Sequence, residues 1–304
     1  MESGMYHYVV AMLLNRHRLL LGLLDALGGR VGNMDFQKLL FLYCRQASPS
    51  PYEFVPYRFG AFSFTSYADR RKLTERGLLA NEEHHWVLTA AGRDLIANGL
   101  PLAAGQFVEA TAHLRGDALV SHTYRQFPYY ATNSEMAARI LHNDPDALRR
   151  VDAARPVRKA LLLTIGYEGL SLEGYLNKLL EAGVMTLCDV RRNPLSRKYG
   201  FAKRTLAHGC HGVGIRYEHL PELGIESSDR RGLETQASYD ALFERYERER
   251  LPRQDAALST ITSWIRSGEA VALTCYEHLP AQCHRHCVAE AVERILPAHP
   301  AEHL

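Results

Sequence analysis

The stretch Val271-Ala-Leu-Thr-Cys-Tyr-Glu-His-Leu-Pro-Ala-Gln-Cys-His-Arg-His-Cys287 decides the fold of the second half of the chain. It starts as an apolar run, continues as a polar turn with a proline and leads into the helical pattern 288–295. A buried strand, a turn and a helix start in this order are typical of open α/β sheets, which bind ligands where their strands end. The side chains expected at that edge are Cys275, Glu277, Cys283, His284 and Arg285.

Two further apolar runs have the same form. The run 160–165 ends at Gly166-Tyr167-Glu168-Gly169, and the run 184–187 ends at Cys188-Asp189-Val190-Arg191-Arg192. Helical patterns separate the three runs. Buried strands that alternate with helices predict an α/β fold with a doubly wound, Rossmann-like and mostly parallel sheet. We expect this domain to occupy residues 159–304.

Residues 1–105 predict a mainly helical domain whose order of helices and strands is that of a winged helix. Four helical patterns occur in this segment. After the third, Leu78-Leu79 and 85–89 predict two short strands joined by the polar turn 81–84, which together form a wing. The predicted helices are Met5–Leu27, Phe36–Cys44, Ser66–Arg76 and Ala90–Ala97.

In a winged helix that binds duplex DNA, the helix Ser66–Arg76 enters the major groove. Arg70, Arg71 and Lys72 then contact phosphates. The alternative is a protein-interaction or dimerisation domain, because acidic residues on the same helix dilute its positive charge. Residues 106–158 predict a helical connector, and its aromatic cluster at 122–134 favours packing between domains over stacking on bases.

Bulk composition excludes several classes of protein. The formal net charge is +2, from 36 basic and 34 acidic residues, so any basic surface is local. The apolar stretch 19–24 is too short to span a bilayer and lacks a signal-peptide cleavage site. We therefore expect a cytoplasmic protein with no membrane partner, whose six cysteines are reduced thiols. The sequence leaves the oligomeric state open.

Three blocks of the second half resemble the signature blocks of a bacterial family, the domain of unknown function 488. They are 164–169, 189–194 and 275–285, and they occur in the family's order. The resemblance covers about residues 159–300. It implies an association with nucleic-acid modification and defence, including the removal of modified bases from phage DNA.

Cleavage of an N-glycosidic bond is the chemistry that we predict for the converging strand ends. A carboxylate stabilises the oxocarbenium-like transition state and a second one assists the leaving base. Glu168 or Asp189 is the expected essential carboxylate, and Glu277 is the second. Tyr167 is expected to stack on an extruded base, and Arg191 and Arg285 to hold phosphates. The predicted substrate-binding set is Tyr167, Arg191, Arg192, Cys275, Cys283, His284 and Arg285.

Structural roles compete with these assignments. Asp189 and Arg191 can form an ion pair at a strand end, and Glu168 can be a turn residue in water. A Cys3His zinc site is possible with Cys275, Cys283 and Cys287 and either His284 or His286. Because the spacing is unusual and contains no Cys-x-x-Cys pair, we predict neither a metal nor a cofactor. Cys283 at a helix start can also be a nucleophile, whereas Cys287 reads as a core residue.

The sequence therefore predicts an enzyme that acts on DNA and excises a modified base. Two rival functions remain. One is a DNA-binding sensor or regulator that performs no chemistry. The other is a nuclease with Glu168, Asp189 and Glu277 around a divalent metal.

Overall fold

The computed structural model describes residues 13–47, 49–97, 103–158, 160–226, 228–230 and 233–304. Contacts divide the chain into two units, Met1–Arg155 and Pro156–Leu304. Each unit has a hydrophobic core of its own. The first residues of the predicted helix Met5–Leu27 lie outside the described residues. Within the described ranges, no helix combines the length and the apolar character needed to cross a membrane.

Helices dominate the first unit. All four helices predicted for it have counterparts in the structure. The bounds of three differ from the prediction by at most three residues, whereas the first helix begins at Asn15 and not at Met5. The elements in chain order are α1 (Asn15–Ala26), β1 (Arg30–Gly32), α2 (Asn33–Cys44), β2 (Val55–Tyr57), β3 (Gly60–Phe62), α3 (Phe64–Glu75), β4 (His85–Val87), α4 (Ala90–Ile96), α5 (Ala103–Ala110), α6 (Gly116–Gln126), α7 (Ala137–Ile140) and α8 (Pro145–Ala153).

The strands of this unit differ from the prediction in their pairing. β4 pairs antiparallel with β1 over three residues. The segment Leu78-Leu79, which was predicted to be its partner, forms a single bridge from Leu79 to Leu88. β2 and β3 form a separate hairpin that the sequence analysis did not predict. The winged-helix assignment of this unit stays a prediction.

In α3, the helix predicted to enter DNA, one of the three predicted phosphate-binding residues contacts other residues of the first unit. The Arg70 guanidinium lies 5.0 Å from the centre of the Trp86 ring. It donates to the Asn33 side chain at 3.1 Å and to the carbonyls of Glu82 and His85. The other two predicted phosphate contacts, Arg71 and Lys72, are exposed. The donors of Arg70 are thus largely used within the unit.

Most of the segment predicted as a connector packs into the first unit. Val120 and Tyr124 of α6 form a buried cluster with residues of α7 and α8, and Met34 of α2 packs against it. The Gly116 amide at the start of α6 donates to the Asp35 carboxylate at 3.0 Å. Residues 103–155 therefore extend the core of this unit.

Five parallel strands form the sheet of the second unit, in the spatial order β7-β6-β8-β5-β9. The predicted doubly wound, Rossmann-like sheet is therefore confirmed. The elements in chain order are β5 (Leu162–Gly166), α9 (Leu172–Glu181), β6 (Thr186–Asp189), α10 (Lys203–Gly212), β7 (Arg216–His219), α11 (Gln236–Glu249), α12 (Asp255–Arg266), β8 (Val271–Cys275), α13 (Arg285–Ile295) and β9 (Glu302–His303).

The three predicted strands are the central ones, β5, β6 and β8, and every residue in them is buried. β5 and β8 are neighbours, but the connection from β5 leads towards β6 and the connection from β8 leads towards β9. Adjacent strands whose connections leave in opposite directions create the crevice in which open α/β sheets bind ligands. The ends of β5 and β8 therefore mark the place to look for a site.

Lys38 on α2 makes the stability of the first unit depend on pH. Burial lowers the pKa of this amine from 10.5 to about 7, and its Nζ donates to the Ala61 carbonyl at 3.0 Å. Between pH 7 and pH 10.5 the unfolded chain binds more protons than the folded one. The free energy of unfolding therefore rises with pH, by up to about 1.4 kcal/mol per pH unit. Lys38→Met is expected to reduce this slope between pH 7 and 9.

The measurement is urea unfolding at several pH values, followed by Trp86 fluorescence in a Trp264→Phe background. Lys72→Met removes an exposed lysine from α3 and serves as the control. Equal slopes for Lys38→Met and Lys72→Met would contradict the assignment.

Candidate functional site

A buried ion pair closes the end of β6. Arg191 Nε and Nη2 donate to the two carboxylate oxygens of Asp189 at 2.8 and 2.5 Å, and the Arg191 amide also donates to Asp189. Tyr217 of β7 donates its hydroxyl hydrogen to the same carboxylate at 2.6 Å. Although burial by itself lowers the pKa of Arg191, the hydrogen bond and charge of Asp189 raise it above its ordinary value. Asp189 has the properties of a structural anion.

The remaining donor of Arg191 joins β6 to the end of β5. Arg191 Nη1 donates to the Tyr167 hydroxyl and to the Phe201 carbonyl, both at 2.9 Å. The Tyr167 and Phe201 rings stack with centroids 4.3 Å apart and planes 7° from parallel. Because Phe201 covers one face of Tyr167, that face is closed to the extruded base that the sequence analysis expected there.

The loop 276–284, which we call the β8–α13 loop, is held by polar contacts from Arg285 and Glu168. Arg285 donates to the carbonyls of Glu277 and His278, and Glu168 accepts from the His278 amide at 3.0 Å. A Cβ on Gly166 would overlap the Glu277 carbonyl, so glycine at the end of β5 allows the loop to approach. Arg285 is 1% exposed, and its contacts are those of a positioning residue.

A cluster of reactive side chains surrounds Cys275 at the end of β8. Its Sγ lies 3.5 Å from Glu277 Oε2 and 3.7 Å from His284 Nδ1. Arg230 completes the cluster, because its Nη1 donates to Glu277 Oε1 at 2.6 Å and its Nη2 lies 2.7 Å from His284 Nδ1. Cys275, Cys283 and His284 are fully or almost fully buried.

The charges in this cluster shift the pKa values of its members. The pKa of the Cys275 thiol lies well below its ordinary value, chiefly because Cys283 donates a hydrogen bond to it. Burial raises the pKa of Cys283 and that of Glu277, and the neighbouring Cys275 raises both further. The cluster therefore has one thiol that favours the anionic form.

A polar cavity of about 350 Å³ opens beside this cluster. Its volume falls within the range that small-molecule pockets occupy. Four arginines line it, and Glu277 is the one carboxylate among its described lining residues. The lining residues that carry the chemistry are Arg191, Arg192, Arg197, Arg230, Cys275, Tyr276 and Glu277.

The structure brings only part of the predicted site to the cavity. Tyr167, Arg191, Arg192, Cys275 and Glu277 line it. Cys283 and His284 lie buried behind Cys275, whereas Asp189 and Arg285 hold the surrounding strands and loop. Glu168 is exposed and braces the β8–α13 loop.

Among the described residues, a grouping of three or more potential metal ligands occurs at Cys275, Cys283 and His284. The Cys3His set that the sequence permitted as an alternative is incomplete, because Cys287 packs into the hydrophobic core of the unit. Its role as a core residue agrees with the sequence interpretation. Glu168, Asp189 and Glu277 do not form such a grouping in the described part of the chain.

Sequence reasoning missed three of the charged and aromatic residues that line the cavity. Arg197 is exposed and makes no ion pair with any described residue, and Arg230 binds the reactive cluster. Tyr276 lines the cavity and is 44% exposed. Arg197 and Arg230 belong to a long polar segment without apolar periodicity, so no pattern in the sequence placed them near β8. Tyr276 stood in the quoted stretch, but nothing indicated that its ring faces the cavity.

Residues 171–292 match the model of a family described as domain of unknown function DUF488. The matched segment starts just before α9 and ends within α13, so it contains the Asp189–Arg191 pair and the whole β8–α13 loop. The second unit therefore carries a domain of this family. The match contains the blocks 189–194 and 275–285, whereas the block 164–169 precedes it. Comparison with curated proteins gave no match, and comparison with solved structures gave none either.

Asp189→Asn is expected to lower the free energy of unfolding of the second unit by about 3–5 kcal/mol, because it leaves Arg191 buried without its charged partner. The matched control is Glu226→Gln, which breaks the exposed ion pair with Arg192 and is expected to cost less than about 1 kcal/mol. Native-state hydrogen exchange of peptides from β5, β6 and β8 measures both values. An Asp189→Asn protein as stable as the control would contradict the structural role.

Proposed function

We propose that the second unit is a hydrolase for a phosphate-bearing, nucleic-acid substrate, and that its reaction is the excision of a modified base from DNA. The observation that carries this proposal is the cavity at the end of β8, in which four arginines surround a single glutamate. A site with this balance of charges favours an anion and supplies one carboxylate for chemistry.

The anion-binding part of the proposal depends on charge that the protein itself leaves uncompensated. Arg191 is neutralised by Asp189, and Arg230 by Glu277. Arg192 pairs with Glu226 at 2.8 Å, but both side chains are largely exposed, and such pairs exchange readily with other partners. Arg197 has no ion-pair partner among the described residues. Arg192 and Arg197 are therefore the proposed phosphate contacts, since guanidinium groups bind phosphate through two hydrogen bonds.

The chemical part of the proposal assigns the essential carboxylate to Glu277. Its side chain is 15% exposed and lies at the cavity wall, whereas Asp189 is sealed by four hydrogen bonds. In glycosidic cleavage, a carboxylate beside the sugar stabilises the oxocarbenium-like transition state and orients the attacking water. Arg230 holds Glu277 in one orientation for this task.

An enzyme that excises a base from duplex DNA must first extrude it from the stack. Tyr276 offers an exposed aromatic ring at the cavity. Base stacking on an aromatic side chain contributes about 1–3 kcal/mol per base. We assign to Tyr276 the stacking role that the sequence analysis gave to Tyr167.

DNA binding by the first unit is a separate proposal. The exposed Arg71 and Lys72 on α3 are its candidate phosphate contacts. The nuclease alternative finds no support in the arrangement of Glu168, Asp189 and Glu277. A sensor without chemistry is the outcome that a negative activity test would favour.

Arg197→Ala is expected to weaken binding to DNA with a modified base and to reduce the slope of log affinity against log salt concentration by about one, since it removes one phosphate contact. Fluorescence anisotropy at several salt concentrations measures both quantities. The matched control is Arg248→Ala, an exposed arginine of α11 that pairs with its neighbour Glu249. An unchanged affinity and slope for Arg197→Ala would contradict the phosphate role.

Glu277→Gln is expected to lower the rate of base release from phage DNA by at least about 100-fold, because glutamine cannot carry the negative charge that the transition state needs. Released bases are identified by mass spectrometry, and abasic sites by alkali-dependent strand breaks. Glu290→Gln, which changes an exposed glutamate of α13, is the control and is expected to keep wild-type activity.

Two results of this assay would contradict the proposal. One is the absence of base release by the wild-type protein from every modified DNA, which would favour the sensor. The other is release that Glu277→Gln leaves intact, which would move the chemistry to another residue, with Glu168→Gln as the next variant.

A further inference from the structure

Three buried side chains next to the cavity have the spacing of metal ligands. One ligand atom from each of Cys275, Cys283 and His284 lies within 4.8 Å of the others. Cys275 Sγ and His284 Nδ1 are 3.7 Å apart. Zinc bonds to sulfur and nitrogen in a tetrahedral site put these two atoms about 3.6 Å apart. The observed separation therefore leaves room for one ion between them.

The imidazole of His284 is oriented as a metal-binding histidine. Its Nε2 lies 2.9 Å from the Val190 carbonyl, an acceptor that requires the hydrogen on Nε2. The lone pair is then on Nδ1, which faces Cys275. Metal-ligating histidines donate their second ring nitrogen to a carbonyl or carboxylate in this way, which fixes the tautomer and the ring.

The positions of the three ligands in the chain add a structural reason. Cys275 is the last residue of β8, and Cys283 and His284 directly precede α13. An ion bound between them would join the two ends of the β8–α13 loop, which carries Glu277. Two cysteines and one histidine form a donor set that suits zinc better than magnesium or calcium.

We propose that Cys275, Cys283 and His284 bind a zinc ion with a water molecule as the fourth ligand on the cavity side. Three protein ligands and one open position are the arrangement of zinc sites that expose the ion to a substrate. Cys275 lines the cavity, so the open position faces it. This site departs from the metal-free expectation of the sequence analysis, and it does not depend on the reaction proposed for the cavity.

Arg230 competes with the ion for His284. Its Nη2 lies 2.7 Å from Nδ1, while its Nη1 is paired with Glu277. Zinc binding requires that Arg230 breaks its contact with His284 Nδ1 and retains its ion pair with Glu277. Glu277 stays an ion-pair partner of Arg230 and is not a zinc ligand.

The test is the zinc content of the full chain, stripped of metal, reconstituted with zinc sulfate and dialysed before mass spectrometry of the metal. Wild-type protein is expected to hold one zinc ion per chain, and Cys275→Ser, Cys283→Ser and His284→Gln to hold less than about a tenth of that. Cys287→Ser is the control, because this cysteine lies outside the ligand set, and Glu277→Gln is also expected to retain the ion. Arg230→Ala removes the competitor and is expected to raise the zinc affinity several-fold.

A second measurement uses the unmutated protein, so that a misfolded variant cannot decide the outcome. Zinc is expected to slow the alkylation of Cys275 and Cys283 at least tenfold and to leave Cys287 unchanged, as read by peptide mass spectrometry. Absence of zinc from the reconstituted wild-type protein, equal alkylation rates with and without zinc, or loss of zinc in Glu277→Gln or Arg230→Ala would overturn the proposal. Both measurements are made without DNA, so their outcome is independent of base release.

Discussion

The ion pair between Asp189 and Arg191 connects β6 with β7, with Tyr167 directly after β5, and with Phe201 in the segment between β6 and α10. A fully buried carboxylate is stable only when its oxygens are paired, and here the Arg191 guanidinium, the Arg191 amide and the Tyr217 hydroxyl pair them. The same guanidinium reaches Tyr167 and the Phe201 carbonyl. The position of the cavity wall therefore follows from one charged contact at the end of β6.

This contact separates the acidic residues into two functions. Asp189 is buried and paired with Arg191. Glu168 is exposed and accepts a hydrogen bond from the His278 amide of the β8–α13 loop. Glu277 is the carboxylate left at the cavity, where Arg230 orients it and a mostly positive lining surrounds it. The four arginines of the lining are the basis for the anionic substrate that we propose, and Glu277, paired with Arg230, is the carboxylate that we propose for a reaction with a cationic transition state.

The sequence was sufficient to predict β5, β6 and β8, because strands buried on both faces are continuous apolar runs. It was insufficient for β7, whose residues Arg216–His219 are partly exposed at one edge, and for the two exposed residues of β9. The sequence analysis gave an ion pair at a strand end as the structural alternative for Asp189 and Arg191. Arg197 and Arg230 were not predictable, because only the three-dimensional path of a polar segment brings them to the end of β8.

The most direct test of the central claim, that water attacks the sugar carbon bonded to a modified base, is the reaction in ¹⁸O-labelled water. Mass spectrometry of the separated products then locates the new oxygen. The account predicts a released base without label, a sugar fragment with label and unlabelled phosphate. Label in the phosphate would indicate a nuclease, and label in the base would indicate attack on the base itself. Either result, or no incorporation with any modified DNA, would contradict the account.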